Sequence, residues 1–213
     1  MRTLVLLRPE PGLSASAARA RALGLDVIEH ALFTVEPVPA TLPDGEFDAM
    51  VVTSANAVRC GGALLDRFHS LPAYAVGQAT AAALREAGIE PSAVGTGGVE
   101  GLALPPGRLL HLCGETHKPL IGKVAAVPVY RMAPTDEPLP DLGGKVVAVH
   151  SPAAGARLDA LAGRDRGRAL VAAISPAAAL SCGAGWAAIQ SAAAPDDESL
   201  LALAAVLCQS LSQ

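Results

Sequence analysis

Val51–Leu65 reads VVTSANAVRCGGALL, and Val147–Leu161 reads VAVHSPAAGARLDAL. Each stretch begins with an apolar run that predicts a buried strand, continues with a serine beside small residues or proline, and ends in an Ala-rich run that predicts a helix. Further along, AYAVGQATAAALREAG from Ala73 is matched by LVAAISPAAALSCGAG from Leu170. Two matches in the same order and at similar spacing indicate that one half of the chain duplicates the other.

The rest of the chain continues this alternation of short apolar runs and helical stretches. Apolar strands separated by helices are typical of parallel sheets covered by helices, so we predict an α/β fold with two similar domains. The predicted strands are Thr3–Leu7, Asp26–His30, Ala49–Val52, Ala73–Val76, Leu109–Leu112, Val124–Tyr130, Val146–Val149 and Leu170–Ile174. The predicted helices include Ser14–Leu23, Ala55–Phe68, Thr80–Ala87 and Ser199–Ser210, the last with Asp196 and Asp197 near its N-terminus.

Two extended, proline-containing segments interrupt this alternation at residues 33–39 and 127–132. If they pair, they form a two-stranded connector, and the chain crosses between domains twice. One α/β domain then comprises residues 1–34 and 132–213, and the other is an insert of residues 38–127. Two similar domains joined in this way leave a cleft between them, where a ligand is expected.

The composition limits the possible partners. The net charge is −4, with 16 Lys and Arg against 20 Asp and Glu, and no basic run is present, so nucleic acid is not an expected partner. The four cysteines form no CxxC pair, which predicts free thiols in a reducing compartment. The N-terminal apolar run is too short for a signal peptide, and no stretch has the length of a membrane span. We therefore expect a soluble, cytoplasmic protein.

Candidate binding residues follow the predicted strands. Ligands of open parallel sheets bind outside the carboxyl ends of the strands, where helix N-termini present backbone N–H groups to anions. Each hydroxyl residue taken alone is better explained as a helix N-cap, whereas the set together favours anion binding. The residues of the set are Thr53, Ser54, Ala55, Asn56, Gly77, Gln78, Thr80, Ser151 and Pro152.

Several other motifs do not predict a site. Residues 95–98 (GTGG) match neither a P-loop nor a dinucleotide fingerprint, and we interpret them as a turn. His111 and Cys113 share a strand face, but His117 lies beyond a turn and no fourth ligand is evident, so we expect no metal. No GxSxG elbow supports a serine nucleophile. Tyr130, on the connector, could donate a proton or hydrogen bond to a leaving oxygen, or it could simply cover the connector.

The matching segments resemble the uroporphyrinogen-III synthase family over nearly the whole chain. They are VLLRPEPG from Val5, TSANAV from Thr53, YAVGQATAAALREAG from Tyr74, LHLCGE from Leu110, VPVYRM from Val127 and VAVHSPAAGARL from Val147. The resemblance implies two α/β domains joined by a two-stranded ladder, with the active site in the cleft. It also implies a lyase that needs no cofactor, acts on the polycarboxylate hydroxymethylbilane and is a monomer.

The resemblance also implies residue roles. Tyr130 matches the connector tyrosine that assists loss of the substrate hydroxyl, Thr80 and Ser151 match cleft residues, and Arg8 matches the arginine after the first strand. Ser54 and Asn56 fall in the motif whose backbone lies near substrate carboxylates. The sequence departs from the family at AISPAAAL, where Ser175 replaces a glycine and alanines replace hydroxyl residues, and after LCGE, where His117-Lys118 stands near a common arginine position.

Two other classes of protein make different predictions. A non-catalytic two-domain binding protein for an anionic small molecule, resembling periplasmic solute receptors, predicts a secretion signal. A nucleotide-dependent Rossmann enzyme predicts a glycine fingerprint. Neither feature is found in the sequence, and the expected function is the one that the resemblance implies, that of a uroporphyrinogen-III synthase.

Overall fold

The computed structural model of the chain describes residues 1–96 and 101–210. Its contacts divide the chain into two compact units, of which unit 1 comprises Met1–Thr34 and Pro134–Gln213 and unit 2 comprises Val35–Ala133. Within the two described ranges, no helix combines the length and the apolar character needed to cross a membrane.

Eleven strands and seven α-helices are defined in the described residues. The strands are β1 (Leu4–Leu6), β2 (Val27–Glu29), β3 (Phe33–Pro37), β4 (Ala49–Val52), β5 (Ala73–Ala75), β6 (Pro91–Val94), β7 (Arg108–Gly114), β8 (Lys123–Pro134), β9 (Val146–Val149), β10 (Leu170–Ala173) and β11 (Ala188–Ser191). The helices are α1 (Gly12–Ala22), α2 (Ala55–Gly61), α3 (Ala63–Phe68), α4 (Gln78–Glu86), α5 (Pro152–Leu161), α6 (Pro176–Ser181) and α7 (Asp197–Gln209), and a 3₁₀ helix spans Arg164–Arg168.

Unit 1 contains a parallel sheet in the order β11-β10-β9-β1-β2. Successive side chains of a strand point to opposite faces, and in β1 both faces are apolar. Leu4 and Leu6 pack with α1 and α7 on one face, whereas Val5 packs with α5 and α6 on the other. This two-sided burial explains the continuous apolar runs from which a parallel sheet was predicted.

Unit 2 contains a six-stranded sheet in the order β3-β8-β7-β4-β5-β6, with parallel pairing from β8 to β6. Met50 and Leu110 face a core that includes α2, α3 and α4. The opposite face, which includes Val51, is covered by Leu102 and other residues outside the described helices. The described helices of unit 2 therefore pack on one face of the sheet.

The two sheets share one layout with a different chain order. In unit 1 the strand order, counted along the chain, is 2-1-3-4-5; in unit 2 the five parallel strands have the order 5-4-1-2-3. If the first two strands of unit 1 were placed last along the chain and the five strands renumbered, the order 2-1-3-4-5 would become 5-4-1-2-3. In each sheet the order in which the chain adds strands changes direction once, between β1 and β9 in unit 1 and between β4 and β7 in unit 2. Such a switch point is where open α/β sheets bind ligands.

The two segments predicted as a connector are neighbouring strands, β3 and β8. The chain passes from unit 1 to unit 2 within β3 and returns within β8. Val38 N donates to Val129 O at 3.0 Å, and Arg131 pairs with Glu36 at 2.8 Å. β8 is longer than the predicted Val124–Tyr130, because it continues to Pro134, beyond the residues that pair with β7.

The structure confirms the predicted α/β class, with two parallel sheets flanked by helices, but several predicted bounds were wrong. The predicted helix over residues 55–68 is broken at Gly62, whose φ of 45° is a left-handed conformation that favours glycine. Strands β6 and β11 were not predicted. β11 (AIQS) has no fully buried residue, so it lacks the apolar run that marks the central strands.

Candidate functional site

A pocket of about 300 Å³ opens in unit 2 at the switch point of its sheet. The residues following β4 and β7 line it, as the carboxyl-end rule predicts. Among the residues that the structure describes, those lining the pocket include no carboxylate. The lining residues are Thr53, Ser54, Val76, Gly114, Thr116, His117, Lys118 and Tyr130.

Thr53 and Ser54 form the β4 side of the pocket. Ser54 is the N-cap of α2, and its Oγ accepts a hydrogen bond from Asn56 N at 3.1 Å. Thr53 Oγ1 lies 3.0 Å from Nε2 of the buried His111. The Ser54 side chain thus serves its own helix, while Ala55 and Asn56 form the first turn. Ala57 N also donates to Ser54 O, at 3.0 Å, so what this turn can offer a ligand is the main-chain N–H of Ala55 rather than the serine hydroxyl.

The loop after β7 supplies the positive side of the pocket. His117 and Lys118 both line it. Although these two residues stand near the position of a common arginine, Lys118 still places a cationic side chain in the pocket. The carbonyl of Gly114 can only accept, so His117 donates from Nδ1 to Gly114 O at 2.9 Å. That bond orients the imidazole and leaves Nε2 as its second polar atom.

Tyr130 lines the same pocket from β8, and Gly114 sets its position. A Cβ on Gly114 would lie 2.8 Å from Cζ and 3.0 Å from the phenol oxygen of Tyr130, so only glycine allows this approach. Glu115 N also donates to Tyr130 O at 2.9 Å. Sequence reasoning did not assign Gly114 a role, although the glycine directly after the buried strand in LHLCGE was the available signal.

Gly77, Gln78 and Thr80 lie at the start of α4, after β5. Gly77 is the N-cap, with an extended backbone and nothing within 4 Å of the position of a Cβ, so the N-terminus of α4 is sterically open. The N-cap interpretation of Thr80 was wrong, because the helix begins two residues earlier than predicted. Thr80 is only 5% exposed, since it lies within the first turn on the side that faces the core.

The predicted residues of unit 1 lie at the corresponding edge of its sheet. Ser151 is the N-cap of α5, with Pro152 in the first turn, and its Oγ accepts from Ala154 N at 3.1 Å. Ser175 caps α6 and accepts from Ala178 N at 3.3 Å. The N-cap interpretation therefore holds for Ser151, and Ser175, for which it was not made, takes the same role. Because proline has no N–H and the serines already accept from the next turn, Ala153 N and Ala177 N are the remaining main-chain donors at these two helix starts.

Arg8 lies at the switch point of unit 1, where it is bound to Asp197. Asp197 Oδ1 accepts from Arg8 Nη1 at 3.0 Å, Ser16 Oγ at 2.7 Å and His150 Nε2 at 2.9 Å. Asp197 Oδ2 accepts from Arg19 Nε at 2.9 Å. We refer to these five residues as the Asp197 cluster. Sequence reasoning placed Asp197 only near a helix N-terminus, because its partners are distant along the chain.

The electrostatics of the Asp197 cluster favour an ionised carboxylate. Burial opposes ionisation, but hydrogen bonds from His150, Ser16 and Arg19 outweigh it and hold the pKa of Asp197 well below its ordinary value. Burial lowers the pKa of His150, although its hydrogen bond to Asp197 acts in the opposite direction. His150 is therefore a neutral imidazole that donates from Nε2. The guanidinium of Arg8 is held in place by this cluster rather than extended into solvent.

His111, Cys113 and His117 lie together beside the unit 2 pocket. Each offers one ligand atom, and these atoms all lie within 4.8 Å of one another. The position of His117 beyond a turn does not separate it from the other two, because the turn after β7 brings it back towards the strand. Burial, with a smaller contribution from His117, lowers the pKa of His111 to about 4, and burial raises the pKa of Cys113 to about 11.

Of the GTGG turn, Gly97 and Gly98 lie outside the described residues.

Comparisons with known proteins agree with this architecture. The chain is similar to the crystal structure of a uroporphyrinogen-III synthetase from Helicobacter pylori, at 17% identity over 97% of this chain and 100% of that one, with a TM-score of 0.69. It is similar to a mutant uroporphyrinogen III synthase from the extremely thermophilic bacterium Thermus thermophilus, at 21% identity over 94% and 97% of the two chains, with a TM-score of 0.54. At these identities the structural likeness concerns the fold.

The sequence itself identifies the family. A search of curated proteins found no match. The family model of uroporphyrinogen-III synthase HemD, however, matches residues 14–202 and so covers most of both units. The chain therefore belongs to the uroporphyrinogen-III synthase HemD family.

Proposed function

We propose that this chain is a lyase that closes hydroxymethylbilane into uroporphyrinogen III in tetrapyrrole biosynthesis. The observation that carries the proposal is the unit 2 pocket, which lies at a sheet switch point, contains Lys118 and Tyr130 and has no carboxylate among its described lining residues. A pocket of this charge suits a substrate that carries an acetate and a propionate on every pyrrole.

The chemical task is mainly one of orientation. The substrate hydroxyl leaves readily, because a pyrrole nitrogen pushes electrons into an azafulvene. Uncatalysed closure then joins head to tail and gives the type I isomer. To form type III, the azafulvene carbon must bond to the substituted carbon of the terminal ring, giving a spiro intermediate that fragments and recloses with that ring inverted. Holding one conformation of such a chain can lower the barrier by several kcal/mol, up to about 7–11.

The pocket supplies fixed donors for this orientation. We propose that the Lys118 ammonium and the main-chain N–H of Ala55, at the start of α2, receive substrate carboxylates. A hydrogen bond to a charged group contributes about 1.5–3 kcal/mol, and main-chain donors cost little reorganisation because the helix already holds them. Gly77 and Gln78, at the open N-terminus of α4, extend the same row of donors.

Tyr130 is the proposed catalytic residue. Its phenol lines the pocket and is held by the close contact with Gly114. A phenol in this position can donate a hydrogen bond or proton to the departing hydroxyl, which leaves as water. Because azafulvene formation needs little assistance, we assign Tyr130 a modest share of the rate.

The carboxyl-end edge of unit 1 is proposed to bind further substrate carboxylates. Ser151, Pro152 and Ser175 begin its helices, and the Asp197 cluster fixes Arg8 and His150 beside them. We further propose that the enzyme is a cytoplasmic monomer that requires no cofactor for this reaction. All four cysteines are free thiols, which suits a reducing compartment, and light scattering of the purified chain tests the monomer.

The experiment that tests this function is incubation of the purified chain with freshly prepared hydroxymethylbilane. The products are oxidised to uroporphyrins, and the type I and type III isomers are separated by chromatography. We expect type III to predominate with active protein and type I to predominate with heat-denatured protein. The same isomer ratio in both samples would contradict the proposed function.

A further inference from the structure

His111, Cys113 and His117 form a cluster that the proposed reaction does not use. His111 and Cys113 are two residues apart on β7 and therefore point to the same face of the sheet. His117 follows in the next loop, and its ring meets that of His111 edge to face, with centroids 5.4 Å apart. One ligand atom from each of the three residues lies within 4.8 Å of the others. Two imidazoles and a thiol so close together are a ligand set for a transition metal.

Both histidines are oriented by a second contact in the way that metal-binding histidines usually are. His117 donates from Nδ1 to Gly114 O, which leaves Nε2 available. His111 contacts Thr53 Oγ1 through Nε2. Its Nδ1 has no hydrogen-bond partner among the described residues, although His111 is only 1% exposed. In metal sites, one ring nitrogen binds the ion while the other donates to a fixed oxygen.

An unpartnered polar atom in such a buried position is unfavourable, because it has lost its hydrogen bonds to water without replacing them. A metal ion on Nδ1 of His111 would remove that cost. With Nδ1 on the ion, Nε2 would carry the ring proton and donate it to Thr53 Oγ1, which can accept it. The cluster is therefore better satisfied with an ion than without one.

We propose that His111, Cys113 and His117 bind a zinc-class divalent ion through two imidazole nitrogens and a thiolate. The softness of this ligand set favours Zn²⁺ or Co²⁺ over Mg²⁺ and Ca²⁺, which prefer oxygen ligands. The Cys113 thiol releases its proton to solvent as the metal–sulfur bond forms. Three protein ligands leave a fourth tetrahedral position for water.

Binding requires a small movement of the ligands. Zinc bonds are about 2.0–2.1 Å to nitrogen and 2.3 Å to sulfur, so two ligand atoms on one tetrahedral ion lie roughly 3.3–3.6 Å apart. The separation of up to 4.8 Å must therefore shorten. His117 is the residue able to move, since it lies in a loop, whereas the other two are fixed in β7. Lys118, the neighbouring cation in the sequence, lines the same pocket as His117.

The test is titration of the purified full-length chain with Co²⁺ alone, followed by displacement with Zn²⁺. Bound Co²⁺ reports its ligands, because a thiolate ligand produces a charge-transfer band and tetrahedral geometry produces intense visible bands. We expect one ion per chain and a thiolate band that disappears in Cys113→Ser. His117→Ala lies in a loop and leaves the core intact. Loss of a residue that only supports a metal ligand already weakens binding about 10–100-fold, so we expect loss of this ligand to weaken binding at least about tenfold.

Matched controls come from the same unit. Cys60→Ser removes the other cysteine of unit 2, and His69→Ala removes an exposed histidine; both should bind like the unmodified chain. The absence of a thiolate band at saturating Co²⁺ would overturn the proposal. Equal affinities of His117→Ala and His69→Ala would also overturn it. The readout is metal binding rather than activity, so its result is independent of the proposed function.

Discussion

Asp197→Asn is expected to destabilise unit 1, because one carboxylate is shared by the donors of four residues. The substitution keeps a carbonyl oxygen for Oδ1 but places an NH₂ group where Oδ2 accepts from Arg19. It also removes the negative charge beside Arg8. Removing one partner of a buried ion pair costs about 3–5 kcal/mol. The carboxylate is 17% exposed and Arg19 is 54% exposed, so solvent reduces the expected loss to about 2–3 kcal/mol.

Tryptophan fluorescence can measure this loss in unit 1 alone. The chain contains one tryptophan, and Trp186 lies in the unit 1 core with its Nε1 donating to Cys182 O at 2.8 Å. Urea unfolding followed by this signal avoids the assumption that both units unfold together. With a slope of about 2 kcal/mol per molar urea, the midpoint should fall by about 1–1.5 M.

Glu29→Gln is the matched control for Asp197→Asn. It neutralises a unit 1 carboxylate that pairs with Arg21 and is more exposed than that of Asp197, at 30% against 17%. Pairs of this kind contribute about 0–1 kcal/mol, so the midpoint should move by less than about 0.5 M. Equal shifts for the two variants would show that Asp197 does not organise the switch point of unit 1.

The remaining predictions concern the acid stability of unit 1 and the unit 2 pocket. Folding lowers the pKa of Asp197 and of His150, so the unfolded chain binds these protons at higher pH than the folded one. The urea midpoint reported by Trp186 should therefore fall as the pH drops below about 6.5, the ordinary pKa of histidine. The difference in midpoint between the unmodified chain and Asp197→Asn should shrink below about pH 4, the ordinary pKa of aspartate. Tyr130→Phe removes one hydrogen bond and should slow type III formation by about tenfold or less; a folded but inert variant would show that orientation alone is insufficient. Gly114→Ala should displace the Tyr130 ring and reduce the type III rate at least as much, and an unchanged rate would contradict that contact. Zn²⁺ should inhibit the unmodified enzyme but not Cys113→Ser, because the proposed ion lies beside the pocket. Equal inhibition of both would show that Zn²⁺ does not inhibit through the proposed site.

The central strands were predictable because their burial is visible in the sequence. The apolar run Val146–Val149 lies in the middle of a parallel sheet, is buried throughout and was predicted with its observed bounds. The N-cap serines were predictable for the same local reason, since a serine between an apolar run and an Ala-rich stretch satisfies the first turn of a helix. Ser54, Ser151 and Ser175 all take this role.

The contacts that the sequence did not reveal are distant along the chain. Asp197 bonds to Ser16, 181 residues away, and no local pattern marks such a pair. Gly114 and Tyr130 meet because β7 and β8 pair side by side, which only the sheet order determines. The position of His117 depends on the path of one loop, and the same path brings it to Cys113 and into the pocket.

The carboxylate-binding role of the unit 2 pocket is tested most directly by Lys118→Glu. The measurement is the ratio of type III to type I product that this variant forms, compared with that of the unmodified chain. A negative charge in the pocket should weaken substrate binding by one charged hydrogen bond or more, so the rate of type III formation should fall at least about tenfold while spontaneous type I product accumulates. Lys123→Glu, an exposed substitution at the start of β8, should retain the original ratio. Type III formation by Lys118→Glu at the rate of the unmodified chain would contradict the account.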